Sequence, residues 1–329
     1  MMIFLLLAIV ALLGAARAIT VLEAARIEAA HPASGRLVEV AGGKLHVLQL
    51  GASASQDPLP IVLVHGASAN LEDQRLALGD RLAANRGVIL VDRPGHGWSD
   101  RPGGIADASP ARQAALIAEA LSRIGVERFV LLGHSLGGAV ASALALAFPA
   151  RVAGLVLLAP VTHPWKGGIA WYNTLLSTPV IGWLFAHTFA LPLSVLLLDG
   201  GVASVFAPQS APADYVRRAA IRLLLRPAEF VANAQDLAAL KAFVTAQAVR
   251  YGEIAAPTVI LTGTADTTVS PRIHARAIAA AVPHARLITL AGVGHMPHHA
   301  AADAIVAAIA QLPARSGPLG AAVPSLPPA

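Results

Sequence analysis

Phe129-Val-Leu-Leu132 runs directly into Gly133-His-Ser-Leu-Gly137, and this stretch decides the fold. The first four residues predict a buried strand, and residues 136–148 predict a helix. Composition alone produces a G-x-S-x-G pattern in roughly one such chain in ten, so the pattern is weak by itself. Between a strand and a helix, however, it predicts a tight turn that exposes Ser135 at the edge of a sheet. The alternative is a serine that only caps a helix at a glycine-rich turn.

Strands and helices alternate on both sides of this turn. Two short apolar runs around Gly42-Gly43 predict a β-hairpin. Further strands are predicted at residues 61–64, 87–91, 152–158, 258–261 and 286–290, and helices at residues 71–84, 109–124, 271–281 and 300–312. Strands that are apolar throughout are typical of a parallel sheet buried on both faces. The predicted fold class is therefore α/β, with a mostly parallel, doubly wound sheet formed by residues 36–161 and 257–312.

The alternation stops between residues 162 and 256, which predict a helical lid inserted over the sheet. Within it, residues 174–206 contain a single charged side chain, Asp199. One interpretation is that this apolar surplus packs on the sheet and on its own helices. The other is that one face lines an acyl pocket while another contacts a membrane. Residues 313–329 are rich in Pro, Gly, Ala and Ser, which predicts a disordered tail.

Residues 1–22 form an apolar segment interrupted by Arg17. Its length of about 20 residues suits an uncleaved membrane anchor. A secretory signal peptide is the alternative, with Ala16-Arg17-Ala18 as its cleavage site, although no basic residue precedes the apolar run. We expect a membrane-associated protein; signal cleavage would instead give a secreted or periplasmic one.

Composition excludes several classes of function. Hydrophobic residues make up 56% of the chain, charged residues 13%, and there is no cysteine, which excludes disulfides and a cysteine nucleophile. The net charge of +5 comes from scattered arginines, so we expect no nucleic-acid partner. No dinucleotide motif follows a strand, and no cofactor is predicted. His295, His298 and His299 have no carboxylate cluster nearby in sequence, so no metal site is predicted either.

A serine hydroxyl needs a base to remove its proton and an acid to orient that base. Asp266 follows the strand at residues 258–261, and His295 follows the strand at residues 286–290. Both therefore lie at carboxyl ends of strands, on the same edge as Ser135. The alternatives are a loop or capping acid for Asp266 and a surface histidine for His295. For the oxyanion, the expected donors are the backbone N–H groups of Ala67 and Leu136.

Together these motifs resemble the α/β-hydrolase superfamily, in its branch of lidded esterases and lipases. Asp92-Arg-Pro-Gly-His-Gly-Trp-Ser99 is also similar to a loop of that family whose role is mainly structural. The resemblance extends over residues 36–312. Haloalkane dehalogenases and soluble epoxide hydrolases share it, but they have an aspartate nucleophile at the position of Ser135.

The resemblance implies hydrolysis of a carboxylic ester, expected to be lipophilic, through an acyl-Ser135 intermediate. Thioesterases, lactonases, C–C hydrolases and perhydrolases with the same triad remain alternatives. A membrane-tethered ligand-binding pseudoenzyme is the alternative from another class. The motifs do not specify the acyl group, the alcohol, the oligomeric state or the side of the membrane.

Overall fold

The computed structural model describes residues 1–51 and 59–312, so the predicted disordered tail at residues 313–329 lies outside the described residues. An eight-stranded sheet with the order β1-β2-β4-β3-β5-β6-β7-β8 forms its centre. The strands are β1 (Arg36–Val40), β2 (Gly43–Leu50), β3 (Ile61–Val64), β4 (Val88–Val91), β5 (Phe129–His134), β6 (Val152–Leu158), β7 (Thr258–Gly263) and β8 (Arg286–Leu290). The β1–β2 and β2–β4 pairs are antiparallel and every other pair is parallel. This confirms the predicted mostly parallel sheet.

Helices cover both faces of the sheet and fill the segment between β6 and β7. They are α1 (Met2–Ala30), α2 (Leu71–Gln74), α3 (Asp80–Ala83), α4 (Pro110–Arg123), α5 (Leu136–Ala147), α6 (Trp171–Leu176), α7 (Pro179–Phe185), α8 (Leu191–Phe206), α9 (Tyr215–Arg218), α10 (Pro227–Ala248), α11 (Ala275–Ala281), α12 (Pro297–Ala300) and α13 (Ala302–Ala310). A π-helical turn joins α2 to α3, and another, Ala186–Ala190, joins α7 to α8.

The helix predicted at residues 271–281 begins only at Ala275. The residues before Ala275 form a wider turn than those of an α-helix. There the N–H of Arg276 donates to the carbonyl of Pro271, five residues earlier, whereas an α-helical bond spans four. The helix predicted at residues 300–312 begins only at Ala302, because the backbone of Ala301 (φ −141°, ψ 41°) is not helical and separates it from the short helix α12. Both differences lie at helix ends, where sequence patterns are least informative.

Successive residues of β5 pack on opposite faces of the sheet. Leu131 belongs to an apolar cluster that includes Ile117 of α4 and Val140 of α5. Leu132 belongs to a second cluster, with Leu71 of α2 and other residues of α3 and α13. Both faces of the sheet are therefore buried, which is why the central strands are apolar throughout. In register, Val64 of β3 lies beside Gly133 of β5, so the two strands end together at one edge.

The Asp92 carboxylate, directly after β4, organises the loop at residues 92–99. It accepts hydrogen bonds from the backbone N–H groups of Leu71 (2.7 Å) and Trp98 (3.0 Å) and lies 2.7 Å from Nδ1 of His46. These contacts join the loop to β2 and to the start of α2, in keeping with the structural role expected of this motif.

A fully buried ion pair joins this loop to the insert between β6 and β7. Arg93 Nη1 lies 2.6 Å from Asp236 Oδ2 on α10, and both side chains have no exposed surface. The Arg93 guanidinium also donates to the carbonyls of His65 (3.1 Å) and Gly66 (3.0 Å) at the end of β3. Burial opposes ionisation of Asp236, but hydrogen bonding from His96 and the charges of Arg93 and Arg101 hold its pKa well below the usual range. The ionised pair fixes α10 to the end of β3.

The helix α1 runs eight residues beyond the predicted anchor at residues 1–22, and its two halves differ. The first half is exposed, whereas Thr20 donates to the carbonyl of Thr188 (2.9 Å) in the insert. Ile27 packs in an apolar cluster with Leu191, and Glu28 lies 3.2 Å from Arg226. By length and composition, α1 and the segment Pro179–Phe206 are each apolar enough to cross a membrane.

We predict that Asp236→Asn lowers the free energy of unfolding by about 3–5 kcal/mol, because it leaves the Arg93 guanidinium buried without its counter-charge. Denaturant unfolding followed by circular dichroism measures the change. The control is Asp199→Asn, since Asp199 is exposed. A loss of less than about 1 kcal/mol would mean that the ion pair is not a principal tie between insert and sheet.

Candidate active site

Ser135 lies in the turn between β5 and α5, with a φ of 53° and a ψ of −119°. A non-glycine residue rarely has a positive φ, so neighbouring groups must hold it there. The N–H of Ser135 donates to the carbonyl of Leu158 (2.9 Å), and its carbonyl accepts from Gly138 (2.9 Å) and Val161 (3.1 Å). The end of β6 and the first turn of α5 therefore fix the turn.

Gly133 and Gly137 are required by close approach. A Cβ atom on Gly133 would lie 2.3 Å from the carbonyl oxygen of Gly137, and one on Gly137 would lie 2.4 Å from the carbonyl oxygens of Val64 and His65. Both distances are shorter than any real Cβ contact, and the nearby atoms are backbone. The G-x-S-x-G pattern is therefore the steric condition for α5 to begin against the end of β3.

Ser135, His295 and Asp266 form one hydrogen-bonded series. His295 Nε2 lies 3.1 Å from Ser135 Oγ, and His295 Nδ1 lies 2.8 Å from Asp266 Oδ2. Asp266 Oδ1 accepts from the backbone N–H groups of Thr268 (2.9 Å) and Val269 (2.8 Å). With Nδ1–H donated to the carboxylate, Nε2 is free to accept the proton of the serine hydroxyl. The structure thus brings together the three residues that the sequence singled out.

The fold explains why three residues so far apart in sequence meet. Ser135 follows β5, Asp266 follows β7 and His295 follows β8, and all three strands run in the same direction. Each of the three residues is less than a tenth exposed. The three side chains are therefore largely buried.

Of the expected oxyanion donors, Leu136 directly follows Ser135 and Ala67 lies in the loop after β3. Leu136 is the first residue of α5, and the first N–H groups of a helix have no partner within it. Gly66 lies against the serine, because a Cβ added to it would be 3.2 Å from Ser135 Cβ. Ala67 is the next residue along that loop.

Asn233, on α10, holds the residue after Ala67. Its Oδ1 accepts from the backbone N–H of Ser68 (2.7 Å), and its Nδ2 donates to the Ser68 hydroxyl (3.2 Å). Ser68 has a φ of 55°, a second non-glycine residue with positive φ. The Ser68 hydroxyl is thus hydrogen-bonded to the side chain of Asn233.

Gln209 holds the turn that carries His295. Its Nε2 donates to the carbonyl of Gly292 (2.8 Å), and its Oε1 accepts from the N–H of Gly294 (2.9 Å). Sequence reasoning missed both Asn233 and Gln209. No local motif marks them, because they reach the site only through the path of the insert.

A cluster of polar side chains lies behind His295. His134 Nε2 donates to the carbonyl of His295 (3.0 Å), and burial holds the pKa of His134 well below its usual value, so this ring is neutral. His298 Nε2 lies 2.9 Å from Asp73 Oδ2, and His299 Nε2 lies 2.8 Å from Asp73 Oδ1. Asp73, the carboxylate that these two histidines share, lies 225 residues from His298 in sequence, which is why the sequence alone did not place it beside them.

Asp73, His298 and His299 place a carboxylate oxygen and two imidazole nitrogens within 4.8 Å of one another, a donor set that metals accept. The two Nε2 atoms, however, face the carboxylate at hydrogen-bonding distance, and the Tyr215 hydroxyl donates to the same carboxylate (2.8 Å). A cation would have to replace these hydrogen bonds. The geometry is therefore that of a buried carboxylate satisfied by three protein donors.

Comparison with known proteins agrees with the architecture. Residues 60–302 match the model of the alpha/beta hydrolase fold family. The uncharacterized protein Rv2715 of Mycobacterium tuberculosis is 31% identical over 252 residues, which cover 73% of this chain and 70% of that protein. The 1-acylglycerol-3-phosphate O-acyltransferase ABHD5 of Sus scrofa is 36% identical over 165 residues, 48% of this chain and 46% of the relative. The chain thus spans about half the length of its ABHD5 relatives.

Solved structures show the same fold. The enol-lactonase from Burkholderia xenovorans LB400 superposes with a TM-score of 0.67 at 21% identity, covering 84% of this chain and 98% of that one. Cfl2 from Burkholderia cenocepacia gives a TM-score of 0.69 at 22% identity, covering 84% and 94%. At these identities the likeness concerns the fold alone.

Proposed function

The chain belongs to the alpha/beta hydrolase fold family, and from this premise we propose that it is a serine hydrolase that cleaves a carboxylic ester through an acyl-Ser135 intermediate. One observation carries the proposal. His295 lies between Ser135 Oγ at 3.1 Å and the Asp266 carboxylate at 2.8 Å, which is the geometry that activates a serine hydroxyl.

In this mechanism His295 Nε2 removes the hydroxyl proton while Ser135 Oγ attacks the ester carbonyl carbon. Asp266 holds the imidazole in the required tautomer and stabilises the positive charge that forms on it. The tetrahedral intermediate expels the alcohol, which takes the proton from His295. Water then attacks the acyl-serine, again with His295 as the base; the acyl–Oγ bond breaks, His295 returns the proton to Ser135 Oγ, and the carboxylic acid is released.

The negative charge on the carbonyl oxygen would be bound by the backbone N–H groups of Ala67 and Leu136. Leu136 opens α5, whose N-terminal end carries a partial positive charge. On the other side, Asn233 fixes Ser68 and with it the position of Ala67. We assign Asn233 a positioning role, because its side chain meets the loop and not the reacting atoms.

The anchor and the substrate class belong to the same proposal. We place α1 in the membrane as an uncleaved tether, and the substrate is then a lipophilic ester. Cleavage after Ala18 would remove Arg17, whose guanidinium lies 5.6 Å from the Trp183 ring. Such cleavage would leave Thr20 hydrogen-bonded to Thr188, so of these two contacts it is the one made by Arg17 that favours the uncleaved helix.

Acyl transfer to an alcohol is the second candidate, because one group of relatives is named 1-acylglycerol-3-phosphate O-acyltransferase. The two activities share the acyl-serine and differ in whether water or an alcohol attacks it. Product analysis with and without an added alcohol acceptor separates them.

We predict that a fluorophosphonate probe labels the chain and that Ser135→Ala abolishes labelling. The variant should also lose several orders of magnitude in kcat on p-nitrophenyl esters, because the triad acts as a unit. Gel fluorescence and initial rates measure both effects, and Ser142→Ala serves as the control on the same helix. A ligand-binding pseudoenzyme would leave the native chain unlabelled.

Asp266→Asn is expected to lower kcat on the order of 10⁴-fold, by analogy with the buried aspartate of other serine triads. The amide would favour the wrong imidazole tautomer. Asp236→Asn is the matched control, since Asp236 is an equally buried carboxylate that bonds to Arg93 and not to His295. If Asp236→Asn at a temperature where it is folded were the more damaging change, the acid would be misassigned.

Asn233→Ala should lower kcat about 10- to 100-fold with little change in KM, because a misplaced oxyanion donor weakens transition-state binding. Asn233→Asp keeps an acceptor for the Ser68 N–H and should recover most of that loss. Steady-state kinetics of both variants measure the split. A rise in KM at constant kcat would instead place Asn233 in substrate binding.

A further inference from the structure

The insert exposes an apolar surface, which we call the outer face. It comprises side chains of α6, α7 and α8 that are each more than half exposed: Trp171, Val180, Ile181, Trp183, Leu196 and Leu197. Asp199 is the one charged residue between positions 174 and 206. The elements that carry these side chains pack on one another, since α7 contacts α6 and the turn at Ala186–Ala190 contacts both α7 and α8. Large apolar surfaces of this kind are rare on soluble monomers and mark a contact.

The helix α1 is continuous with the outer face. Its residues from Met2 to Val10 are exposed and apolar. Further along, Thr20 donates to the carbonyl of Thr188 (2.9 Å), and the Arg17 guanidinium lies 5.6 Å from the Trp183 ring. The two apolar surfaces therefore adjoin at the level of residues 17–20 of α1.

The length of α1 from its first residues to Thr20 can be compared with the thickness of a bilayer. At about 1.5 Å per residue, the helix rises about 27 Å from Met2 to Thr20. The hydrocarbon core of a bilayer is about 30 Å thick. When α1 crosses the core from its first residues, Thr20 reaches the far boundary of the hydrocarbon. Because Thr188 is bonded to Thr20, and Trp183 lies beside Arg17, the outer face reaches the same boundary.

The chemistry of the outer face suits that depth. Trp171, Tyr172 and Trp183 are exposed aromatic side chains of the type enriched where lipid headgroups meet hydrocarbon. Arg17 is placed where its charge reaches the headgroups. We infer that α1 and the outer face together form a docking surface for a phospholipid bilayer, with the aromatic side chains at the headgroup boundary.

The inference deepens the proposed function and rests on it for the substrate alone. The insert that carries the outer face also carries Asn233 and Gln209, which hold the loops around Ser135 and His295. Docking therefore holds at the membrane the insert that positions the loops around Ser135 and His295. The substrate class is an amphiphilic ester whose acyl chain enters from the bilayer and not from water.

The four tryptophans of the chain allow a direct test. Three variants each retain one tryptophan, at position 98, 171 or 183, and have phenylalanine at the other three positions. The full-length variants are reconstituted in phosphatidylcholine vesicles with or without brominated acyl chains. We expect bromine to quench Trp171 and Trp183 at least about twofold more than Trp98, because bromine quenches by contact and only the first two lie at the boundary. Trp98 is bonded to His31, eleven residues beyond Thr20.

A charge on the outer face should lift it from the lipid. In the chain that retains only Trp183, Leu196→Glu is expected to remove most of the bromine quenching. The matched control is Val249→Glu, because Val249 is similarly exposed (86% against 80% for Leu196) but lies at the end of α10. Equal quenching of all three tryptophans, or none at Trp171 and Trp183, would overturn the inference, as would burial of this face against a second copy detected by cross-linking. Fluorophosphonate labelling of the same samples tests Ser135 separately, so failure of docking and failure of the proposed function are distinguishable.

Discussion

At Ser135 the backbone is held in a conformation that costs a non-glycine residue on the order of 1–3 kcal/mol, and the rest of the site depends on how that cost is offset. The apolar clusters on the two faces of β5 fix the strand before the turn, and α5 is buried along most of its length. The Ser135 carbonyl accepts hydrogen bonds from Gly138 and Val161, and the Ser135 N–H donates to Leu158. These bonds hold the turn in its observed conformation. The strain is local, whereas the burial that supports it extends across the sheet. Because β7 and β8 end at the same edge, Asp266 and His295 reach the serine without strain of their own.

The insert is part of the active-site framework and not an independent cover. Its contacts with the loops around the triad include Asp236 at Arg93, which follows β4, Asn233 at Ser68 and Gln209 at the turn before His295. A rigid-body movement of the insert would therefore disturb the oxyanion loop and the histidine turn together. Since α1 packs on the same insert through Thr20 and Ile27, α1 is joined through the insert to the loops around Ser135 and His295.

Much of this could be predicted from the sequence, because its signals are local. Ser135, Asp266 and His295 each follow an apolar strand, and parallel strands bring such positions to one edge. Asp73, Asn233 and Gln209 carry no such signal. Their partners are far away in sequence, and a polar residue on a helix is usually a solvated one.

The end of α1 also could not be predicted from the local sequence. The mostly apolar stretch ends at Leu22, where the predicted segment ends, yet Ile27 packs in an apolar cluster and Glu28 pairs with Arg226.

The histidines around the triad have a role that their number alone does not suggest. The His134 ring lies 5.0 Å from the His295 ring, and at an effective dielectric constant of about 20 a charge there would oppose the His295 imidazolium by about 3 kcal/mol. Burial, first of all, lowers the pKa of His134, and the neighbouring His298 is likewise held neutral by burial in spite of Asp73. Neutral His134 also donates its one N–H to the His295 carbonyl. The apolar sheet thus supplies more than a scaffold: by keeping the rings behind His295 uncharged, it leaves His295 as the group on which positive charge forms in the proposed mechanism.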